Sequence, residues 1–257
     1  MFEPQRVVFA WDRAPYWRQR IWRGYKQRRR KDNEEDRQDV YVQVDLFKQV
    51  LKHIGVCQVE LPTMEADDIA GILTSLVTKQ SNQEKIILLS GDKDWFQLLG
   101  PRVKQVRSWK GKKLDVWTEE RVFKEHGVTV SDWPKFLALV GDSSDNIPNV
   151  RKGMGPVAAL RVLAGITTLG VGEQTAYTRN LQLTTVLRSP PTGIKEIAGA
   201  LQPIQRTAAG WEAMEATLKE YELFDLWKAR QRLWVVGGWG NPQRRVATRV
   251  LDDPSKE

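Results

Sequence analysis

The sequence predicts an α/β fold in which a parallel sheet is flanked by helices and a helical subdomain follows. Three observations predict it. Short apolar runs near residues 6–11, 56–61 and 85–89 alternate with segments of helical spacing. Acidic residues stand within a few positions of the end of each of those runs. Beyond Thr118 the pattern becomes helical and punctuated by Gly and Pro. Strand–helix–strand–helix–strand order implies a parallel sheet with helices on both faces.

Arg6 to Trp11 reads as a short buried strand ending at Asp12. Arg13 to Asp39 is densely charged, with Arg18, Arg20, Arg23, Lys26, Arg28, Arg29, Arg30 and Lys31 set among Tyr16, Trp17, Trp22 and Tyr25. Val42 to Ile54 carries apolar residues at helical spacing, and Gly55 stops it. Val56 to Leu61 reads as a second strand, Glu65 to Thr78 as a helix, and Lys85 to Leu89 as a third strand. Gln105 to Trp117 reads as a hairpin turning at Gly111. After Thr118 the helical pattern runs to about Arg188, Ser189-Pro-Pro-Thr-Gly reads as a linker, and Trp211 to Arg232 as a further helix before a polar tail. The expected domains are therefore 1–117, a core with an arch over about 13–40; 118–190, a helical subdomain; and 191–257, a helical segment packing back on the core.

With 257 residues, 41% of them hydrophobic, the chain can bury a sizeable core and is not of disordered composition. No apolar run is long enough to cross a membrane, and Met1-Phe-Glu-Pro-Gln-Arg lacks a signal-peptide layout. Cys57 stands alone, which excludes an internal disulfide and suits a reducing cytoplasm. The net charge of +8 favours a polyanionic partner, and with no amphipathic anchor in view nucleic acid is preferred over a membrane.

Four groups of carboxylates interrupt the basic background: Asp12; Glu65, Asp67 and Asp68; Asp92 and Asp94; Asp142 and Asp145. The first three follow the three strands, and groups at the carboxyl ends of parallel strands converge on one crevice. So many carboxylates in one crevice repel one another unless some take up protons or cations are present. All-oxygen ligands without His or Cys suit Mg²⁺ or Mn²⁺, and two such ions roughly 4 Å apart are common machinery for phosphodiester hydrolysis. Each group also has an ordinary use. Asp12 could begin a turn, Glu65 to Asp68 could favour a helix start, Asp92 could serve a turn beside Gly91, and Asp142 and Asp145 could cap a helix. His53 and His126 read as surface or helix-end residues, and the tryptophans as packing.

Glu65-Ala-Asp-Asp-Ile-Ala, Ser90-Gly-Asp-Lys-Asp-Trp-Phe-Gln-Leu-Leu and Gly141-Asp-Ser-Ser-Asp-Asn-Ile-Pro-Asn-Val resemble three signatures of the 5′-nuclease family. That family includes flap endonucleases, phage 5′–3′ exonucleases and the 5′ nuclease domain of DNA polymerase I. Phe9-Ala-Trp-Asp12, Tyr25-Lys26-Gln27-Arg28-Arg29, Asn180-Leu-Gln-Leu and Tyr221-Glu-Leu-Phe extend the resemblance over nearly the whole chain.

The resemblance implies a PIN-like core and a nuclease that cuts near the 5′ end of flap, nicked or branched DNA, in replication or repair, plausibly phage-encoded and acting in the infected cell. It implies two divalent cations, Mg²⁺ or Mn²⁺. Asp12, Glu65 and Asp67 match positions nearer the catalytic ion, and Asp68, Asp92, Asp94, Asp142 and Asp145 positions nearer the second. Lys26 and Arg29 match basic residues at the base of a helical arch that act on the scissile phosphate. Arg18, Arg20, Arg23 and Tyr25 lie in the basic, aromatic stretch expected to contact DNA. The arch is expected to be disordered without DNA.

Ile147-Pro-Asn-Val-Arg-Lys-Gly-Met-Gly-Pro resembles the family's helix–hairpin–helix. There Arg151, Lys152, Gly153 and Gly155 would meet duplex phosphates, and a K⁺ ion is commonly held. Family members usually carry an earlier strand bearing a first metal-binding Asp, and here Met1 falls just before the Asp12 strand. That strand and ligand are therefore expected to be missing from this sequence, with three readings open: the sequence starts late, as after a misassigned start or a split gene; another polypeptide supplies them; or the chain is a DNA-junction binder of little activity. Replication proteins are further expected partners.

Overall fold

The computed structural model describes residues 6–27, 34–110, 113–190, 197, 199 and 208–221. In chain order the elements are β1 (Val8–Trp11), α1 (Arg18–Ile21), α2 (Glu34–His53), β2 (Cys57–Glu60), α3 (Ala66–Gln80), β3 (Ile86–Leu89), a 3-10 helix (Asp94–Leu98), β4 (Val103–Lys110), β5 (Lys113–Trp117), α4 (Glu119–His126), α5 (Trp133–Val140), α6 (Pro156–Leu163), α7 (Val171–Thr184) and α8 (Ala208–Glu220).

These elements divide into two units. In the first, β1 pairs with β2 in a two-stranded sheet. Val50 and Leu51 of α2 and Ile54, just past its end, share an apolar core with Val56 and with Met214 and Leu218 of α8, and Phe9, Trp11, Phe47 and Trp211 pack against it. The apolar positions of α2 recur at helical spacing, so one face of a long polar helix is buried. Glu34 to Val40 is helical and continuous with α2, where the sequence led us to expect a disordered arch. Helix-forming residues and acids at its start explain the extension.

In the second unit the sheet has the order β3-β4-β5. β3 runs parallel to β4, as the crossover between them requires, and β4 runs antiparallel to β5 from Gln105↔Trp117 to Lys110↔Lys113, with a register shift between Val106 and Ser108. The expected hairpin thus forms, and its Gly111 tip lies outside the described residues. The α/β class holds, and the strands expected in one parallel sheet lie in two, β1-β2 and β3-β4-β5, among the described residues.

Helices α4 to α7 surround a core in which Phe96 stacks on Trp117 at 4.5 Å and meets Trp133 edge-on at 5.1 Å. Thr118 caps α4, accepting a hydrogen bond from the Arg121 amide, which is why the pattern turns helical at that residue. His126, the last residue of α4, packs between Trp117 and Trp133, and burial holds its pKa below the usual value. Buried Asn180 of α7 donates to the carbonyls of Ala138 and Pro148 and fixes α7 against α5 and the loop that follows it. The described part of the predicted C-terminal helix is α8, and residues 222–257 lie outside the description.

Candidate metal centre

Two turns carry the centre. After β3 the chain passes through Ser90-Gly-Asp, and the Asp92 carboxylate accepts the amide of Asp94 at 2.9 Å, which starts the 3-10 helix. After α5 the chain reverses at Gly141, whose φ of 72° lies in the left-handed region, and a Cβ there would lie 2.5 Å from the Asn149 nitrogen. Asp142 closes the second turn. Its backbone exchanges hydrogen bonds with Ile147 at 2.8 and 2.7 Å, and its Oδ1 accepts both the amide and hydroxyl of Ser144 at 2.7 Å.

The two turns bring one carboxylate oxygen each from Asp94, Asp142 and Asp145 within 4.8 Å of one another. The residues between them explain the electrostatics. Burial first, then the charges of Asp92, Asp67, Asp142 and Asp145, push the Asp94 pKa well above the carboxylate range. Burial also pushes Asp67 up to about 7; the indole hydrogen bond from Trp95 works against this, and the charges of Asp92 and Glu65 add to it. Asp67, Asp92, Asp94, Asp142 and Asp145 therefore share one field. A hard divalent cation fits them. The donors are all oxygen, and a positive ion relieves the repulsion that otherwise holds protons on Asp67 and Asp94.

Beside these acids lies a second, ion-paired cluster. Arg18 of α1 is buried, and its guanidinium grips both oxygens of Asp68 at 2.7 and 2.8 Å and Glu65 Oε2 at 2.6 Å. It also donates to the carbonyls of Leu183 and Thr185 at the end of α7. Burial alone would lower the Arg18 pKa, but the Asp68 hydrogen bonds and the charges of Asp68 and Glu65 hold it above its ordinary value. Tyr25 donates to Glu65 Oε2 at 2.9 Å and to Asp145 at 3.1 Å, and burial next to Glu65 drives its pKa upward. The Lys26 ammonium pairs with Glu65 Oε1 and lies 3.7 Å from Asp145 Oδ2.

Several expected positions are altered by this packing. Arg18 and Tyr25, expected on DNA, are buried in the ion-paired cluster, because a guanidinium and a phenol satisfy carboxylates that would otherwise be buried alone. Asp68, expected beside a metal, is fully buried, and Arg18, the Trp17 indole at 2.9 Å and the Leu187 amide occupy its oxygens. Exposed Asp12 accepts the Ala66 amide at 2.7 Å and so caps α3.

Arg20, Arg23 and Lys152 are exposed, and Arg151 pairs with Glu173 at 3.2 Å. Gly153 has φ 79°, and a Cβ on Gly153 or Gly155 would meet no atom within 4 Å, which leaves open surface before α6. Arg29 lies outside the described residues. Sequence reasoning missed Trp17 and Trp95 as carboxylate donors. The only signal available was the adjacency of Trp95 to Asp94.

Comparison with known proteins adds to this geometry. Residues 1–127 match the family model of the 5′–3′ exonuclease N-terminal, resolvase-like domain. The chain is 35% identical over 161 residues to a 5′–3′ exonuclease of Aquifex aeolicus, covering 62% of this chain and 52% of that protein. It is 32% identical over 188 residues to a 5′–3′ exonuclease of Mycoplasma genitalium, covering 72% and 61%. The chain thus spans about half of the Aquifex relative's length. Among solved structures it is similar to the T5 5′-exonuclease with bound divalent zinc, at a TM-score of 0.58, 19% identity and 84% of each chain. It is also similar to the bacteriophage T5 flap endonuclease in complex with DNA and metal ions, at 0.57, 21% and 85% of each chain.

Proposed function

We propose that this chain is a member of the 5′-nuclease family, a metal-dependent hydrolase that cuts phosphodiesters near the 5′ end of flap, nicked or branched DNA; the match to the 5′–3′ exonuclease family model and the likeness to the exonuclease relatives support the reading. The observation that carries the reading is the convergence of Asp94, Asp142 and Asp145 on one point, inside a field that also includes Asp67 and Asp92. Those five residues would hold Mg²⁺ or Mn²⁺. Once bound, such ions lower the pKa of a water and neutralise the charge of the scissile phosphate. Lys26, held beside Glu65 and Asp145, is positioned to exchange these carboxylates for a phosphate oxygen, with Arg29 as its expected companion. Glu65 and Asp145, hydrogen-bonded by Tyr25, orient the ammonium.

The duplex would lie against Arg151, Lys152 and the open backbone of Gly153 and Gly155, contacts that read shape and not sequence. A K⁺ ion at that turn belongs to the same proposal, as do a setting in replication or repair and a cytoplasmic location, in a bacterial or phage-infected cell. No helix among the described residues is long and apolar enough to cross a membrane.

One observation favours a second reading, a DNA-junction binder of low activity. Glu65 and Asp68, two of the expected ligands, are engaged by Lys26 and Arg18. The two readings part in one experiment: cleavage of a 5′-labelled flap duplex with Mg²⁺, with Mn²⁺ and with EDTA, beside Asp94→Ala. Cleavage that needs metal and is lost in the variant supports the nuclease. Tight binding insensitive to EDTA, with no cleavage, supports the binder.

A further inference from the structure

The segment 22–26 and the turn 142–147 are joined by three hydrogen bonds. The Lys26 amide donates to the Asp145 carbonyl at 2.9 Å. The Asn146 side-chain amide donates to the Gly24 carbonyl at 2.8 Å. The Trp22 indole donates to the Asn146 carbonyl at 3.2 Å. The approach is close. A Cβ on Gly24 would lie 2.7 Å from the Trp22 indole nitrogen and 3.2 Å from the Asn146 amide nitrogen. Both partners also hold backbone that non-glycine residues seldom adopt, Lys26 at φ 52° and Asn146 at φ 61°. Left-handed conformations outside glycine persist where surrounding contacts impose them, and Asn tolerates them better than most residues.

We propose that Asn146 is a positioning residue for the nuclease reaction, latching the Gly24–Lys26 segment to the metal-binding turn and so setting where the Lys26 ammonium lies relative to Asp145 and Glu65. The inference rests on the nuclease reading for its catalytic consequence and on the three hydrogen bonds for its geometry. Asn146 has the two properties the position needs. It accepts the left-handed turn that follows Asp145, and its amide reaches back across the gap to Gly24. Without that donor the Gly24 carbonyl loses its partner in the turn, and the Lys26 backbone is held there by its own amide and by the Trp22 indole. A catalytic group displaced by about 1 Å can lose on the order of 100-fold in rate.

Asn146→Gly keeps the left-handed turn and removes the amide. Gly24→Ala attacks the same contact from the other side by steric pressure. In single-turnover cleavage of a 5′-flap duplex with Mg²⁺, each is expected to slow the chemical step by roughly 10- to 100-fold while the DNA dissociation constant stays within about twofold. On a Lys26→Ala background Asn146→Gly is expected to add little, because both changes remove the same positioned ammonium. Hydrogen exchange read by mass spectrometry should be faster in both variants over residues 22–27. A full, multiplicative loss on the Lys26→Ala background, or unchanged exchange over 22–27, overturns the proposal. If the wild-type chain cleaves nothing, the nuclease reading fails, whereas the exchange comparison tests the latch by itself: faster exchange in the variants upholds it and unchanged exchange overturns it.

Discussion

The indole of Trp95 donates a hydrogen bond to Asp67, linking a residue of the 3-10 helix after β3 to an acid in the first turn of α3. That bond lowers the Asp67 pKa against the burial and like charges that raise it to about 7. It also commits one oxygen of the carboxylate and leaves the other available. Trp95→Phe keeps the ring and removes the donor. We expect Mn²⁺ affinity at neutral pH, measured by titration calorimetry, to fall about tenfold, as for other residues that orient metal ligands. Unchanged affinity would show that Asp67 is oriented without Trp95.

Stability without metal should depend on pH in an unusual sense. Asp67 and Asp94 have folded-state pKa values above their unfolded ones, so the stability they allow is fully present below about pH 4 and is lost as pH rises toward about 7 for Asp67, and higher for Asp94. Urea denaturation in EDTA should show the metal-free fold losing stability across that window, less steeply in Asp67→Asn. A flat profile would mean that the repulsion is screened.

Divalent ions should reverse this effect. Mg²⁺ at about 100 times its dissociation constant should stabilise the wild-type fold by roughly 2.7 kcal/mol, read as a rise in Tm. Asp94→Asn should gain little from Mg²⁺, because it removes one of the converging ligand carboxylates, and should melt higher than wild type in EDTA only at a pH high enough to strip the Asp94 proton. An equal gain in both proteins would place the ion elsewhere.

Arg18 and Asp68 should behave as structural partners. Both are buried and paired, so Arg18→Ala leaves Asp68 buried without its counter-charge and should cost about 3–5 kcal/mol in denaturant titrations, whereas Asp68→Asn leaves Arg18 its pair with Glu65 and should cost less. Arg18→Lys should recover only part of that, since an ammonium cannot match the two-point grip on Asp68. A loss below about 1 kcal/mol, the range of surface pairs, would show that water reaches the cluster.

Much of this was legible in the sequence. The helical spacing of Val50, Leu51 and Ile54 marked the buried face of α2. Thr118 marked the start of the helical region, where it caps α4, and the carboxylates after β3 and α5 were recognisable as one centre because short motifs fix their spacing. Such signals are local, and local rules read them. What only the tertiary structure decided is which polar groups meet across long stretches of chain. Arg18 and Tyr25 sit in a basic, aromatic stretch that reads as a DNA-facing surface, yet burial forces them onto Glu65 and Asp68, residues far along the chain. Asp68 lies one residue from Asp67 but turns into the core, because a helix rotates about 100° between neighbours and only one of the two can face the metal centre. Composition could supply the charges of this protein, but a buried charge takes its role from the partner that compensates it, and that partner is chosen by the fold.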